Sequence, residues 1–305
     1  MKHTMTYTSC LHTYVRYYIY EPKIILRIKG VIQIHHGLCE HADRYEHFAQ
    51  FLMNRGFVVV VSDFVGHGQS LIDFEQGYFG KERGSDCLVR DMFRLCDFIK
   101  ERYPEAPYFL LGTDLGAVMI RKFISIYGDY IQGVLLLGTS GHLTGSVIKT
   151  MYIKLMKLIK GPMYRSKYLF KHFHNHNNRK FRNTKSIVSY LTKDKKQLKA
   201  YLDDPMTHFV YTLQGYEDIL TASRQVSSQE YINKIPDYLS VYLACGEDDT
   251  MIEHADELYE KYKNRGIRDL TYKKFKNCRH ALLFEVERNE VYQDILMWLN
   301  GRTYV

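Results

Sequence analysis

Short apolar runs and 3.6-residue periodicities alternate along much of the chain. Gly30 to His35 (GVIQIH), Phe57 to Ser62 (FVVVVS), Phe109 to Gly112, Gly133 to Gly138 (GVLLLG) and Leu239 to Cys245 (LSVYLAC) predict strands buried on both faces. Arg44 to Arg55, Cys87 to Tyr103, Ala117 to Tyr127 and Glu290 to Leu299 carry helical spacing. Strands alternating with helices predict an α/β fold, with a mostly parallel sheet covered on both faces. The alternation stops after Gly138. From about Leu143 to Ile235 the pattern is helical, basic and loop-rich, and then the strand pattern returns. The expected organisation is a sheet core over 1–142 and 236–305, with a helical lid inserted over 143–235. Such an insertion sits above the carboxyl ends of the strands, where these folds bind ligands.

One stretch, FLLGTDLGAVMIRKF from Phe109 to Phe123, joins a predicted strand to a predicted helix through a glycine-bounded turn. That layout presents one reactive side chain at the tip of a strained elbow. Enzymes with a G-x-S-x-G elbow carry serine there. Here the position is Asp114. Upstream, the strand ending at His35 runs into HGLCEH, where Gly37 permits close backbone approach and turns the Leu38 N–H inward. The Leu115 N–H follows the elbow at the start of a helix. Two convergent amides beside a helix N-terminus make an oxyanion hole.

The ordered motifs HGLCEHADRY (His36 to Tyr45), DFVGHGQS (Asp63 to Ser70), GTDLGA (Gly112 to Ala117), GEDDTMI (Gly246 to Ile252) and RHALLFE (Arg279 to Glu285) span nearly the whole chain. Together they resemble α/β-hydrolases of the monoacylglycerol lipase, lysophospholipase and serine-aminopeptidase type. The resemblance implies a lipid- or carboxylic-ester hydrolase scaffold with no cofactor and no metal. It matches Leu38 and Leu115 to the oxyanion amides, Asp249 to the triad acid and His280 to the triad histidine, with Asp114 at the nucleophile position. Asp248 is the alternative acid. Cys39 stands where these lipases usually carry glycine, and a packed thiol is expected there. Arg44, Tyr45, Asp63, Gly66, His67 and Gly68 match positions read as structural. Ser140, in GTSGH, follows a strand but lacks the second glycine in register, and reads as a loop residue.

Aspartate changes the chemistry. A carboxylate attacking an ester makes a mixed anhydride, and the tetrahedral adduct collapses by expelling the carboxylate again. Ordinary acyl transfer through Asp114 is therefore expected to be impaired or absent. A carboxylate can instead displace at saturated carbon, as in epoxide hydrolases and haloalkane dehalogenases, which share the form G-x-D-x-G. Those enzymes need further groups. The single tryptophan, Trp298, lies in the last predicted helix and reads as core. Lid tyrosines are plentiful (Tyr152, Tyr164, Tyr168, Tyr190, Tyr201, Tyr211, Tyr216), but the chain holds 26 tyrosines. The His-Gly motif also lacks the proline usual in epoxide hydrolases. Three readings stay open: a non-catalytic binding protein, a weak hydrolase using Asp114 or water held by His280, and an Asp-nucleophile enzyme.

Charge then singles out the insertion. Tyr130 to Lys193 contains no Asp or Glu and holds 12 of the 42 Lys and Arg residues, leaving 30 against 34 acidic residues elsewhere. The net +8 belongs to this segment. On a helical wheel, Ser146 to Lys160 puts Ile148, Met151, Tyr152, Leu155, Leu158 and Ile159 on one face and Lys149, Lys154, Lys157 and Lys160 on the other. A lid helix packing its apolar face on the core is the first expectation. A helix docking on an anionic membrane surface is the second. No recognition motif for nucleic acid accompanies the charge. The histidines of KHFHNHNNRKF (His172, His174, His176) read as a solvated loop rather than a metal site. The six cysteines form no C-x-x-C pair and the N-terminus lacks an apolar targeting run. A cytoplasmic protein, peripheral at most to a membrane, is expected, with a small lipid or ester as ligand.

Overall fold

A computed structural model describes residues 1–23, 28–139, 146–181, 183–184 and 186–303. Among them, eight strands form one sheet: β1 (Lys2–Thr8), β2 (Tyr14–Tyr20), β3 (Gly30–His35), β4 (Phe57–Ser62), β5 (Tyr108–Thr113), β6 (Gly133–Leu137), β7 (Ser240–Gly246) and β8 (Leu270–Phe275). Their order is β1-β2-β4-β3-β5-β6-β7-β8. The pairs β1·β2 and β2·β4 are antiparallel, and every later pair is parallel. The runs read as buried strands are the central ones, and β3, β4, β5 and β6 are buried at every position. Parallel strands covered on both faces need that apolar continuity. The sheet edges carry the opposite pattern. β1 is nearly all exposed, and β8 turns Lys273 and Lys274 outward to pair with Asp294 and Asp256. Such polar edges discourage pairing with another chain.

Helices α1 (Glu46–Met53), α2 (Gly84–Arg102) and α3 (Leu115–Tyr127) follow β3, β4 and β5 in turn, and α4 (Ser146–Lys160), α5 (Lys167–Asn177), α6 (Lys195–Asp203), α7 (Leu213–Ser227) and α8 (Gln229–Asn233) lie between β6 and β7. The chain closes through α9 (Ile252–Arg265) and α10 (Arg288–Asn300). One apolar cluster on the sheet takes Leu88, Met92, Ile120, Phe123 and Leu258 from α2, α3 and α9; the other takes Phe48, Leu52, Ile295 and Leu299 from α1 and α10. Trp298 lies in the second cluster against Phe109 and Tyr242, a core position as expected.

The chain leaves β3 toward β4 on one side and later returns as β5 on the other. That switch opens a crevice beyond the carboxyl ends of β3 and β5, where open α/β sheets place their ligands. The boundary expected between 142 and 143 and the loop serine Ser140 lie outside the described residues, as do Arg182 and Lys185.

Two expectations for the segment between β6 and β7 are corrected. His172, His174 and His176 stand on helix α5 rather than in a loop, with His174 buried and the other two outward. The helix capped by the Ser166 hydroxyl on the Leu169 N–H begins just before them. In α4 the expected packing is inverted. Ile153 is buried with Leu169, Leu213 and Leu220, while Ile148, Met151, Leu155, Leu158 and Ile159 are exposed, Leu158 at 87% and Ile148 at 76%. Lys157 faces inward enough to pair with Glu217 Oε2 at 2.5 Å and with Gln214. A wheel ranks faces by hydropathy, and here a narrower stripe through Thr150 and Ile153 supplies the contact with α7.

Candidate active site

The elbow between β5 and α3 needs glycine on both sides. A Cβ on Gly112 would come within 2.4 Å of the Gly116 carbonyl carbon, and one on Gly116 within 2.2 Å of the His35 carbonyl oxygen. The strand, the helix and the β3 loop therefore close on the turn, forcing Asp114 to φ +46, ψ −107. A non-glycine residue held there stores strain of about 1–3 kcal/mol. The Asp114 N–H donates to the Leu137 carbonyl and the Gly116 N–H to the His36 carbonyl, both at 3.1 Å, so the turn is pinned to its neighbours.

Gly37 lets the β3 loop approach the elbow: a Cβ there would stand 3.3 Å from the Asp114 Cβ. The Leu38 N–H consequently reaches the Asp114 carboxylate, donating to Oδ2 at 3.3 Å. The Leu115 N–H opens α3 one residue past the elbow. Cys39, at φ +51, is buried; its amide donates to the Tyr211 hydroxyl at 3.0 Å, and burial pushes its thiol pKa far up.

Asp249 lies in the turn after β7. Its Oδ1 accepts from the Met251 N–H and its Oδ2 stands 2.9 Å from His280 Nδ1. Asp248 is exposed, so Asp249 is the carboxylate that meets the histidine. His280 is held by its own N–H on the Tyr190 carbonyl and by the next amide, Ala281, on Leu191. Its Nε2 is buried and ends 3.8 Å from Asp114 Oδ2, too far for a hydrogen bond but close for a charge pair. Burial alone would lower the His280 pKa. Asp249 and Asp114 outweigh it and raise the value to about 10. The ring is thus an imidazolium at neutral pH, flanked by two carboxylates.

Around this centre, the residues read as structural tie loops together. Glu40 Oε2 accepts from the Gly37 N–H and from the Tyr45 hydroxyl, and Oε1 faces Arg44 at 3.3 Å. Asp63 accepts from the amides of Ala42 and Gln69, and a Cβ on Gly68, at φ +52, would strike its carboxylate at 2.5 Å. His67 Nε2 stands 2.7 Å from the Tyr211 hydroxyl, so a chain from His67 through Tyr211 to the Cys39 amide fixes the loop bearing Leu38. Nothing in the sequence set Tyr211 apart from its neighbours; its role follows from the segment between β6 and β7 folding back over β3.

Two hollows meet at Leu38. A mostly apolar cavity of about 680 Å³, counted to its open mouth, runs from Leu38 under the helices between β6 and β7, with Tyr190, Tyr201, Tyr211 and Tyr216 in its wall. Of the other lid tyrosines, Tyr152, Tyr164 and Tyr168 do not line it. The second hollow, about 320 Å³, is bounded by Asp114, His280, Glu40 and Phe284. Among the described residues, no group of three or more His, Cys, Asp or Glu is arranged to hold a metal ion.

A Ser-type elbow, an ordered acid and histidine, and two amides at a strand switch define the α/β-hydrolase class. Residues 27–287 match the serine aminopeptidase family S33, and the chain belongs to that family. It is 29% identical to mouse monoglyceride lipase over 43% of each chain, so that match spans under half of the relative's length. It is 24% identical to human monoglyceride lipase over 90% of this chain and 84% of that one. A thermostable carboxyl esterase from Bacillus coagulans, solved with glycerol, superposes with a TM-score of 0.91 at 22% identity, covering 99% of this chain and 98% of that chain. That likeness is one of fold.

Proposed function

We infer that the protein binds a single-chain lipid ester, of the monoacylglycerol or lysophospholipid kind, in a site where acyl transfer is impaired or absent. Residues 143–235 form the lid in this reading, over a core of 1–142 and 236–305. Support for the ligand comes from the apolar cavity that reaches Leu38, where it meets the hollow lined by Asp114 and His280, and from the monoglyceride lipase relatives. The observation that carries the loss of turnover is the Leu38 N–H on Asp114 Oδ2. In acyl transfer that amide receives the developing oxyanion of the substrate. Here a carboxylate already fills it. A second obstacle is the histidine: the carboxylates beside it raise its pKa, so the protonated ring is favoured where acyl transfer needs a neutral base. Turnover measured on monoacylglycerol and lysophospholipid panels, beside binding of the same lipids, tests this: tight binding with hydrolysis near background is expected.

One observation keeps an Asp-nucleophile reading in play. The same amide contact leaves Asp114 oriented by a donor, and the Tyr190 and Tyr211 rings line the adjoining cavity. In that scheme a carboxylate oxygen attacks a saturated carbon and the carbon–oxygen or carbon–halogen bond breaks. Water then cleaves the ester. Tyr211, however, is already engaged by His67 and the Cys39 amide. Turnover of an epoxide panel lost in Asp114→Ser would favour it.

The lid supports a further part of the reading, contact with an anionic membrane surface by a cytoplasmic protein. Among the described residues no helix is long and apolar enough to cross a membrane. The exposed stripe of α4 offers Leu155, Leu158 and Ile159, with Lys154 and Lys160 exposed beside it. Each apolar side chain transferred from water contributes about 1.5–3 kcal/mol at full burial, and each basic residue near an anionic surface about 1 kcal/mol. Co-sedimentation with anionic and neutral vesicles tests it.

A further inference from the structure

The large cavity is electrically lopsided. Its lining is apolar or aromatic except for a few groups, and two of these, Lys149 of α4 and His172 of α5, come from the helices between β6 and β7, whereas Leu38 comes from the loop after β3. His172 is the exposed member of the lining and marks the mouth; Lys149 is half-buried beside it. More positive or titratable groups gather there. Arg179 Nη1 lies 3.2 Å from His176 Nε2, and the His176 pKa is lowered by burial first, then by Arg179, Lys149, His172 and His254. The 64-residue stretch that supplies the mouth, from Tyr130 to Lys193, contains no carboxylate. The other end is negative. Leu38 lines both hollows, and beyond it Asp114 and Asp249 flank one histidine, with the Leu38 amide already engaged by Asp114.

We propose that the cavity binds a single-chain anionic lipid with its head at Lys149 and His172 and its chain running inward toward Leu38, the reverse of the orientation an ester would need for attack at the elbow. A carboxylate or phosphate head finds the Lys149 ammonium and the His172 ring at the mouth, and finds at the elbow a carboxylate in the place of a donor. An ammonium half-withdrawn from water attracts such a head more strongly than a fully solvated one. The chain meets Ile153, Leu169, Ile219 and Leu220, which are buried in this wall. The mouth is also borne by α4, whose exposed apolar stripe would hold it against the surface from which such lipids come. The inference rests on the lipid-binding reading above and deepens it.

Calorimetric titration with oleate, 1-oleoyl lysophosphatidate and monooleoylglycerol, each below its micelle threshold, separates the two. The wild type should bind at least one of the anionic lipids tenfold or more tightly than the neutral one, and the tighter of the two names the head. Lys149→Met keeps the aliphatic stem and removes the charge. It should erase that preference while leaving monooleoylglycerol affinity within about twofold, whereas Lys154→Met, on the exposed side of the same helix, should leave the preference intact. Equal affinity for charged and neutral lipids, or an unchanged preference in Lys149→Met, overturns this inference and leaves lipid binding standing. Binding of none of the three overturns both.

Discussion

Replacing Asp114 by serine removes one carboxylate and changes three features of the site together. The Leu38 N–H, now donating to Asp114 Oδ2 at 3.3 Å, is released to receive a substrate oxygen. His280 loses its charge partner on the Nε2 side, so its pKa falls from about 10 and the neutral base becomes available. A hydroxyl replaces a leaving group that returns the adduct to its start. The strained backbone at φ +46 is unchanged, and the smaller side chain fits where the larger one did. One hole donor is worth about 10²–10³ in kcat, and a triad nucleophile rather more. Acting as one unit they are not additive. A gain of at least about 10³-fold in hydrolysis of p-nitrophenyl butyrate or monooleoylglycerol is expected over Asp114→Ala, which frees the hole without supplying a nucleophile. Wild type, both single variants and Asp114→Ser with His280→Ala form the assay. A folded Asp114→Ser no faster than Asp114→Ala refutes the reasoning, as does an Asp114→Ser that survives loss of His280.

The raised His280 pKa has a stability consequence. The folded value of about 10 exceeds the usual unfolded value of about 6.5, so the paired imidazolium stabilises fully below pH 6.5 and the benefit fades as pH rises toward 10; denaturant midpoints should fall across that window, and fall less in Asp249→Asn. An NMR titration finding His280 neutral below pH 6 contradicts the pairing. Gly116→Ala should cost about 3 kcal/mol or more, because its Cβ would overlap the His35 carbonyl at 2.2 Å, and chemical denaturation reads it. Leu155→Asp with Leu158→Asp should abolish co-sedimentation with anionic vesicles at unchanged thermal stability, since both side chains are exposed. Lys154→Glu with Lys160→Glu should weaken it in a salt-sensitive way; Lys157 is left alone because it pairs with Glu217.

What the sequence made legible follows from where its signals were strong. Runs buried on both faces, such as FVVVVS at β4, admit one reading in a chain of alternating helices. The edges did not. β1 and β8 are polar, and β2 is rich in tyrosine rather than aliphatic residues, so none of them shows the apolar continuity of the central strands. Helix α9 escaped notice because Glu, Lys and Tyr dominate it, and three buried residues, Ala255, Leu258 and Tyr262, hold it down. Around the elbow, motif order picked out the three residues that meet, with His280 2.9 Å from Asp249 and 3.8 Å from Asp114. Tyr211 was invisible because its partners, His67 and the Cys39 amide, lie more than 140 residues away. The face of α4 was misjudged for a similar reason: hydropathy ranks side chains, whereas burial is decided by what stands opposite, here α7.

The two departures of this chain from an acyl-transfer site reinforce each other. A largely enclosed carboxylate at the elbow is stabilised by a counter-charge, and the one facing it is His280, itself already backed by Asp249. Protonating that ring satisfies both carboxylates, but only by giving up the base. The Leu38 amide adds a donor to the same oxygen, and gives up the hole. On the function proposed above, each contact that makes Asp114 tolerable is also one that acyl transfer would need free. The elbow, whose glycines and strained φ have a cost in any fold, is nonetheless intact. On the function proposed above, the site is an ion pair beside a mostly apolar cavity, and recognition falls to the cavity wall and mouth.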